Sequence, residues 1–182
     1  MSELHAVAHK MVEKGKGILA ADESTPTCTK RFETINTDST EQTRNFYRNM
    51  LFTAQDIEKY ISGVILFDET FHQSELSSGL AFPEYLTSKD ILPGIKVDSG
   101  LEDFGSNEKL TKGLEGLSER LSRYYALGAR FAKWRAVITP GNGTPTNDCI
   151  LANAKNLAMY AKKCQNANLV PIVEPEVLMD GS

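Results

Sequence analysis

The sequence predicts an α/β fold whose core is a parallel sheet, assembled from five successive strand–helix units. Short apolar runs typical of strands buried on both faces recur along the chain, and most of them follow Gly, Pro or Asn. Amphipathic helical stretches lie between these runs, so strand and helix alternate about every 35 to 45 residues. The length of 182 residues, of which 41% are hydrophobic, is enough for one domain with a buried core and no disulfide or metal support.

The strands are placed by apolar or aromatic runs, and the first long helix by its cap and its apolar spacing. The five predicted strands are residues 17–21, 61–67, 94–97, 131–138 and 169–173. After the first strand, a helix is predicted over residues 40–60, with Thr40 as its N-cap and an apolar face that includes Phe46 and Met50.

Two further helices fill the gaps before the fourth and fifth strands. Leucines and tyrosines recur at three- and four-residue spacing between Leu114 and Tyr125, and Gly128 then provides a stop signal. The same spacing of apolar residues predicts a helix over residues 146–164. Each predicted helix therefore follows a predicted strand, as parallel pairing requires.

Two architectures are compatible with five strand–helix units. A doubly wound open sheet would be complete at this length, whereas a (β/α)8 barrel needs about 250 residues and would be incomplete. A dinucleotide-binding sheet would carry GxGxxG after its first strand, but this chain has AADESTPT there. The pattern of elements alone leaves the choice open.

Composition and charge exclude several classes of function. With 20 Lys+Arg against 24 Asp+Glu and no charge blocks, the chain has no electrostatic footprint for nucleic acid or acidic lipid. No apolar stretch of about 18 residues predicts a membrane span. Cys28, Cys149 and Cys164 are an odd, widely spaced set, which indicates reduced thiols in a cytoplasmic protein. His5 and His9 have no ligand-spaced partner, so we expect an amphipathic helix there and no metal site.

Ionisable residues cluster at the ends of the predicted strands. They are Asp22 after the first strand, Asp68 and Glu69 after the second, Lys96 and Asp98 at the third, Lys133 and Arg135 in the fourth, and Glu174 and Glu176 after the fifth. Strand residues two apart point to the same side, so the last three pairs each present two charges to one face. One such pair is readily explained as solvated surface charge, but charges recurring on several strands suit a barrel active site, which is built at the carboxyl ends of strands.

These residue types favour an anionic substrate and carboxylate acid–base chemistry. Two lysines and an arginine suit a phosphate group, and no histidine belongs to the set. A lysine among other cations is also a candidate nucleophile, because its pKa is readily lowered. The residues alone therefore nominate Lys96 or Lys133 as a Schiff-base lysine.

Six segments, in order, resemble those of class I fructose-bisphosphate aldolase, the metal-independent, Schiff-base enzyme of glycolysis. They are GKGILAADEST at 15–25, GVILFDET at 63–70, PGIKVD at 93–98, LTKGLEGL at 110–117, FAKWR at 131–135 and VPIVEPE at 170–176. The resemblance implies a (β/α)8 TIM barrel, of which residues 1–182 form the N-terminal part of a single domain with about the first five βα units. It also implies a cytoplasmic enzyme that needs no cofactor, acts on a sugar phosphate and forms a homo-oligomer, a tetramer in the full-length family.

The resemblance assigns roles to nine residues. As catalytic groups it implies Asp22, Lys133, Glu174 and Glu176. As substrate-binding groups it implies Ser24, Arg31, Arg44, Lys96 and Arg135. Glu174 matches the glutamate that exchanges protons during carbinolamine formation and dehydration, and Glu176 a carboxylate that sets the local charge balance. Pro26 and Thr27 stand where the family usually has Gly-Ser, and Pro26 removes a backbone donor from a phosphate-binding turn.

The resemblance also bears on which lysine forms the imine. In the family this lysine lies on the sixth strand, in a segment resembling LLKPNMV, and no such segment occurs in the 182 residues. Lys96 and Lys133 are then expected to be electrostatic groups, and this chain alone is expected to be inactive. Two alternatives remain: a truncated, non-catalytic fragment that binds phosphates or a partner protein, and a different sugar-phosphate barrel enzyme, such as an isomerase, with Gly141–Gly143 as a phosphate loop.

Overall fold

A five-stranded parallel sheet forms the centre of the protein. The structure is a computed structural model that describes residues 2–105 and 107–181. The sheet strands are β1 (Gly17–Ala21), β2 (Ile61–Leu66), β3 (Leu92–Lys96), β6 (Phe131–Ile138) and β7 (Val170–Val177), and β4 (Leu101–Phe104) and β5 (Glu108–Thr111) form a separate antiparallel hairpin. The five predicted strands are confirmed, although the last one continues four residues further and contains Glu174 and Glu176.

Seven α-helices are described around the sheet in those ranges. They are α1 (Glu3–Met11), α2 (Thr25–Glu33), α3 (Glu41–Phe52), α4 (Asp68–Phe71), α5 (Phe82–Ser88), α6 (Leu117–Ala126) and α7 (Asn147–Asn166).

The prediction of one helix over residues 40–60 is wrong at its C-terminal end. Helix α3 ends at Phe52, Asp56 has a left-handed φ of 60°, and Ile57–Lys59 is a short 3-10 turn. The hairpin and the helices α2, α4 and α5 were not predicted, because their apolar patterns are short.

The predicted apolar face of α3 is correct at Leu51, which packs against the core, and wrong at two other positions. Phe46 and Met50 are exposed, whereas Arg48 is buried on the opposite side of the helix. The spacing of apolar residues did not predict the buried side of α3, because Arg48, paired with the Glu23 carboxylate, occupies a buried position where an apolar residue is expected.

Strand order decides between the two architectures. The sheet runs β1–β2–β3–β6–β7, so every parallel strand lies beside the next parallel strand along the chain. A doubly wound sheet reverses its strand order at a switch point, and this sheet has no reversal. Sequential order in one direction is the arrangement of a barrel wall.

The inner face of the sheet changes from apolar to charged along the strands. Ile65 of β2 and Phe131, the first residue of β6, pack with Val7 and Met11 of α1 in a buried cluster. Toward the carboxyl ends, Lys133 follows Phe131 at the next residue on the same face. The outer face packs on the helices through a larger cluster that includes Trp134, whose ring lies 5.5 Å from that of Tyr160. Helix α1 therefore closes the amino end of the inner face and leaves the carboxyl end for polar groups.

Gly94 makes room for the fully buried ring of Phe131 on the neighbouring strand. A Cβ atom at Gly94 would lie 2.2 Å from two ring carbons of Phe131. We expect Gly94→Ala to lower the free energy of unfolding by about 2 to 3 kcal/mol, because the ring or a strand must shift. Gly17→Ala in β1 is the matched control, since a Cβ there has no neighbour within 4 Å. Denaturant unfolding of both variants tests this, and equal losses would contradict it.

Within residues 2–105 and 107–181, no helix combines the length and the apolar character needed to cross a membrane.

Candidate active site

A polar cavity of about 330 Å³ opens at the carboxyl ends of β1, β3 and β6. It is lined by Asp22, Glu23, Ser24, Thr27, Arg31, Lys96, Asp98, Gly100, Leu101, Lys133 and Arg135. Six of the nine residues predicted for the site therefore line one cavity, and Glu174 and Glu176 contact cations in its wall. In barrel and open α/β folds alike, this end of the sheet is where ligands bind.

Lys133 lies between two carboxylates at the centre of this wall. Its Nζ is 3.3 Å from Oδ2 of Asp22 and 3.1 Å from Oε2 of Glu174. Strand pairing explains the second contact, because Lys133 is opposite Ile172 on β7 and Glu174 is the next residue on the same face. The first contact joins the carboxyl end of β1 to β6 across the inside of the curved sheet.

The charges around Lys133 determine its protonation. Burial of the amine acts to lower its pKa, but the attraction of Asp22 and the hydrogen bond and charge of Glu174 outweigh burial, so the pKa of Lys133 is raised above its ordinary value. The side chain is thus an ammonium at neutral pH. In this arrangement it provides a positive charge, and the raised pKa opposes formation of the free amine that an imine requires.

Lys96 and Arg135 add two more cations, each held by its own carboxylate. Lys96 is the strand partner of Lys133, and its Nζ is 2.6 Å from Oδ1 of the nearly buried Asp98. Arg135 lies two residues beyond Lys133, and its Nε is 2.7 Å from Oε2 of Glu176. Because alternate strand residues point to the same side, the charged residues predicted on β3, β6 and β7 do lie together on one face of the sheet. They occur there as ion pairs.

The first turn of α2 forms another side of the cavity. Ser24 is the N-cap residue of this helix, and its hydroxyl lies 3.0 Å from that of Thr27. Pro26 occupies the first turn and has no N–H to offer a ligand. Two hydroxyls and Arg31, one helical turn beyond Thr27, therefore face the cavity.

Arg44 is not brought to this cavity. Its Nε and Nη2 lie 2.7 and 2.6 Å from the two carboxylate oxygens of Glu69, and its Nη1 donates to the backbone oxygen of Ser39 at 2.9 Å. Asp68 and Glu69 likewise start α4 instead of lining the cavity, and Asp68 accepts a hydrogen bond from Tyr124. The bidentate pair with Glu69 holds the Arg44 guanidinium outside the cluster of strand-end cations.

The pair of Glu23 and Arg48 is a part of the site that sequence patterns do not predict. Glu23 lines the cavity next to Asp22, and its Oε2 is 2.7 Å from Nη1 of Arg48, whose side chain is only 2% exposed. An arginine on a helix is normally a surface residue, so nothing in the spacing indicated burial.

No group of three His, Cys, Asp or Glu side chains able to hold a metal ion is found in the described part of the chain.

Comparison with known proteins shows similarity to one enzyme family over nearly the whole chain. A model of the class-I fructose-bisphosphate aldolase family matches residues 3–182. Fructose-bisphosphate aldolase 1 of Toxoplasma gondii is 53% identical, over 99% of this chain and 50% of that protein. A probable fructose-bisphosphate aldolase class 1 of Xanthomonas axonopodis pv. citri is 50% identical, over 100% of this chain and 55% of that protein.

Comparison with solved structures identifies the fold to which the curved sheet belongs. The fructose-bisphosphate aldolase of Plasmodium falciparum, solved in complex with TRAP and a small-molecule inhibitor, superposes with a TM-score of 0.95 at 49% identity, over 98% of this chain and 52% of that chain. The curved parallel sheet is thus part of a TIM barrel, and this chain spans about half the length of the relatives it matches. The chain belongs to the class I fructose-bisphosphate aldolase family.

Proposed function

We propose that this chain supplies the substrate-binding and proton-transfer side of a class I fructose-bisphosphate aldolase. Such an enzyme cleaves fructose 1,6-bisphosphate reversibly to dihydroxyacetone phosphate and glyceraldehyde 3-phosphate, in the cytoplasm and as a step of glycolysis. The observation that carries the proposal is the position of Lys133 between Asp22 and Glu174 in the cavity of a chain of this family.

The cations of the cavity suit the phosphate groups of the substrate. Lys96, Lys133, Arg31 and Arg135 surround a space lined also by the hydroxyls of Ser24 and Thr27. Arginine binds a phosphate through two parallel N–H groups, while lysine acts as a point charge. We propose that Arg31 and Ser24 bind a phosphate at the start of α2, while Lys96 and Arg135 orient the sugar.

The carboxylates serve proton transfer. In class I chemistry a lysine amine adds to the substrate ketone, the carbinolamine loses water, and the protonated imine accepts electrons as the carbon–carbon bond breaks. We assign that amine to a lysine outside residues 1–182. Glu174 exchanges protons with the carbinolamine oxygen, and Lys133 keeps Asp22 and Glu174 oriented and balances their charge. Glu176 fixes Arg135 at the rim of the cavity.

A homotetramer is the assembly proposed for the full-length enzyme, on the basis of family membership.

A chimaera tests the proposal. Residues 1–182 are joined to the C-terminal half of the Toxoplasma gondii enzyme, and cleavage of fructose 1,6-bisphosphate is followed in a coupled assay. We expect turnover by the chimaera and binding without turnover by the 182-residue chain. A chimaera that is folded by circular dichroism and binds the sugar bisphosphate without cleaving it would favour a binding-only protein. A folded chimaera that does not bind it would overturn the proposal.

A further inference from the structure

Glu23 lies between two arginines that differ in their freedom to move. Its Oε1 pairs with Nη1 of Arg31, and its Oε2 lies 2.7 Å from Nη1 of Arg48. The hydroxyl of Tyr47 donates to Oε1 at 3.1 Å, and Nη2 of Arg48 donates to the backbone oxygen of Glu23 at 2.9 Å. The carboxylate is therefore fixed by contacts that do not involve Arg31.

Exposure separates the two arginines. The Arg48 side chain is 2% exposed and stacks on the ring of Tyr47, with its guanidinium carbon 5.1 Å from the ring centre. The Arg31 side chain is 56% exposed and lies at the cavity. Arg48 cannot leave Glu23 without placing a bare charge in the protein interior, whereas Arg31 can turn toward the cavity at little cost.

The other cavity cations are bound differently. Lys96 and Arg135 each pair with one carboxylate and Lys133 pairs with two, and none of these carboxylates has a second cationic partner among the described residues. When a ligand draws one of these cations away, the carboxylates paired with it lose their only counter-charge. Glu23 keeps Arg48 when Arg31 leaves, so Arg31 is the cation that can be transferred to an incoming anion at the lowest electrostatic cost.

We propose that Glu23, held by Arg48, is a positioning residue that keeps Arg31 in a resting position and competes with the substrate phosphate for it. This inference rests on the proposed function, because it takes Arg31 to be a phosphate ligand. Binding exchanges the Arg31–Glu23 pair for an Arg31–phosphate pair, and release reverses the exchange. The strength of the Glu23 contact therefore limits how tightly the phosphate is held.

The test measures the dissociation constant of inorganic phosphate, by titration calorimetry, for the 182-residue chain and its variants. We expect Glu23→Gln to bind phosphate about tenfold more tightly, because Arg31 is released from a carboxylate. We expect Arg48→Met to bind it severalfold more weakly, because Glu23 then depends on Arg31 alone. The double variant Glu23→Gln/Arg48→Met should again bind more tightly than the unmodified chain.

The double variant has two further uses. It has the same net charge as the unmodified chain, so tighter binding cannot come from a more positive cavity. It also removes both members of a buried ion pair, a change that proteins often tolerate, so it carries the test if Glu23→Gln alone does not fold. Tighter binding by the single variant without tighter binding by the double variant would overturn the inference.

Two controls complete the design. Glu33→Gln, at the exposed last residue of α2, makes the same charge change away from the cavity and should leave the dissociation constant within about twofold. In an Arg31→Met background, Glu23→Gln should have no effect, since the competing cation is gone. If the unmodified chain binds neither phosphate nor fructose 1,6-bisphosphate, the proposed function fails. If it binds phosphate and both Glu23 variants bind equally or more weakly, only the present inference fails.

Discussion

Replacing Lys133 by Met in the chimaera is expected to lower kcat/KM for fructose 1,6-bisphosphate by about 1000-fold or more. The ammonium of Lys133 is the shared counter-charge of Asp22 and Glu174. Without it, two carboxylates face each other and an anionic substrate across a partly buried space. Charge repulsion then opposes substrate binding, and Glu174 loses the contact that orients it for proton transfer.

Two comparison variants separate charge from shape at this position. Lys162→Met changes an exposed lysine of α7 and should leave kcat/KM within about twofold. Lys133→Arg keeps the charge but changes its geometry, and it should retain more activity than Lys133→Met. A loss of less than about tenfold for Lys133→Met, in a protein with an unchanged circular dichroism spectrum, would show that the charge is not needed.

Replacing Glu174 by Gln should slow imine formation by about 100- to 1000-fold. Glutamine has nearly the same shape as glutamate, but it can neither accept nor return the proton that carbinolamine formation and dehydration require. Phosphate binding should change little, because Arg31 of α2 and Lys96 of β3 are untouched. Single-turnover trapping of the imine with borohydride measures the rate.

Glu176→Gln is the matched comparison on the same strand. Its carboxylate contacts Arg135 at 2.7 Å and has no described contact with Lys133. We expect a smaller loss, about tenfold, expressed mainly in KM because Arg135 loses its orienting partner. Equal losses for the two glutamate variants would remove the specific proton-transfer role from Glu174.

The parallel strands were predictable because a strand buried on both faces is a continuous apolar run. The end of β7 was not predictable, since the sequence Glu174, Pro175 and Glu176 is typical of a loop. Val170 and Leu178 donate their N–H groups to the backbone oxygens of Arg130, just before β6, and of Ile138, so by alternation the nitrogens of Pro171 and Pro175 point away from β6. On the side that faces β6, a missing N–H at these two positions breaks no ladder hydrogen bond, and the strand continues through both prolines.

The residues that belong to the candidate site were more predictable from the sequence than the contacts between them. The period of two along a strand is enough to predict that Lys133 and Arg135 of β6 share one face. Nothing local could pair Lys133 with Asp22, 111 residues away, because that contact depends on the curvature of the whole sheet. The same holds for Arg48, whose burial on α3 follows from the position of Glu23.

The protonation of Lys133 argues against this residue as the nucleophile. Residue types alone made Lys96 and Lys133 equal candidates for an imine, since crowding by cations lowers the pKa of an amine. In the structure each of these lysines contacts a carboxylate, and the pKa of Lys133 is raised; burial opposes this shift, and the Asp22 and Glu174 charges produce it. We therefore interpret Lys133 as a fixed positive charge of the proposed substrate site, and Lys96 as a cation paired with Asp98.

Reductive trapping tests this assignment most directly. The chimaera is incubated with dihydroxyacetone phosphate and borohydride, digested, and mapped by mass spectrometry. We expect a single adduct on a lysine outside residues 1–182, with Lys96 and Lys133 unmodified. An adduct on Lys96 or Lys133 would contradict the division of roles, because it would place the nucleophile among the residues assigned here to binding and electrostatics.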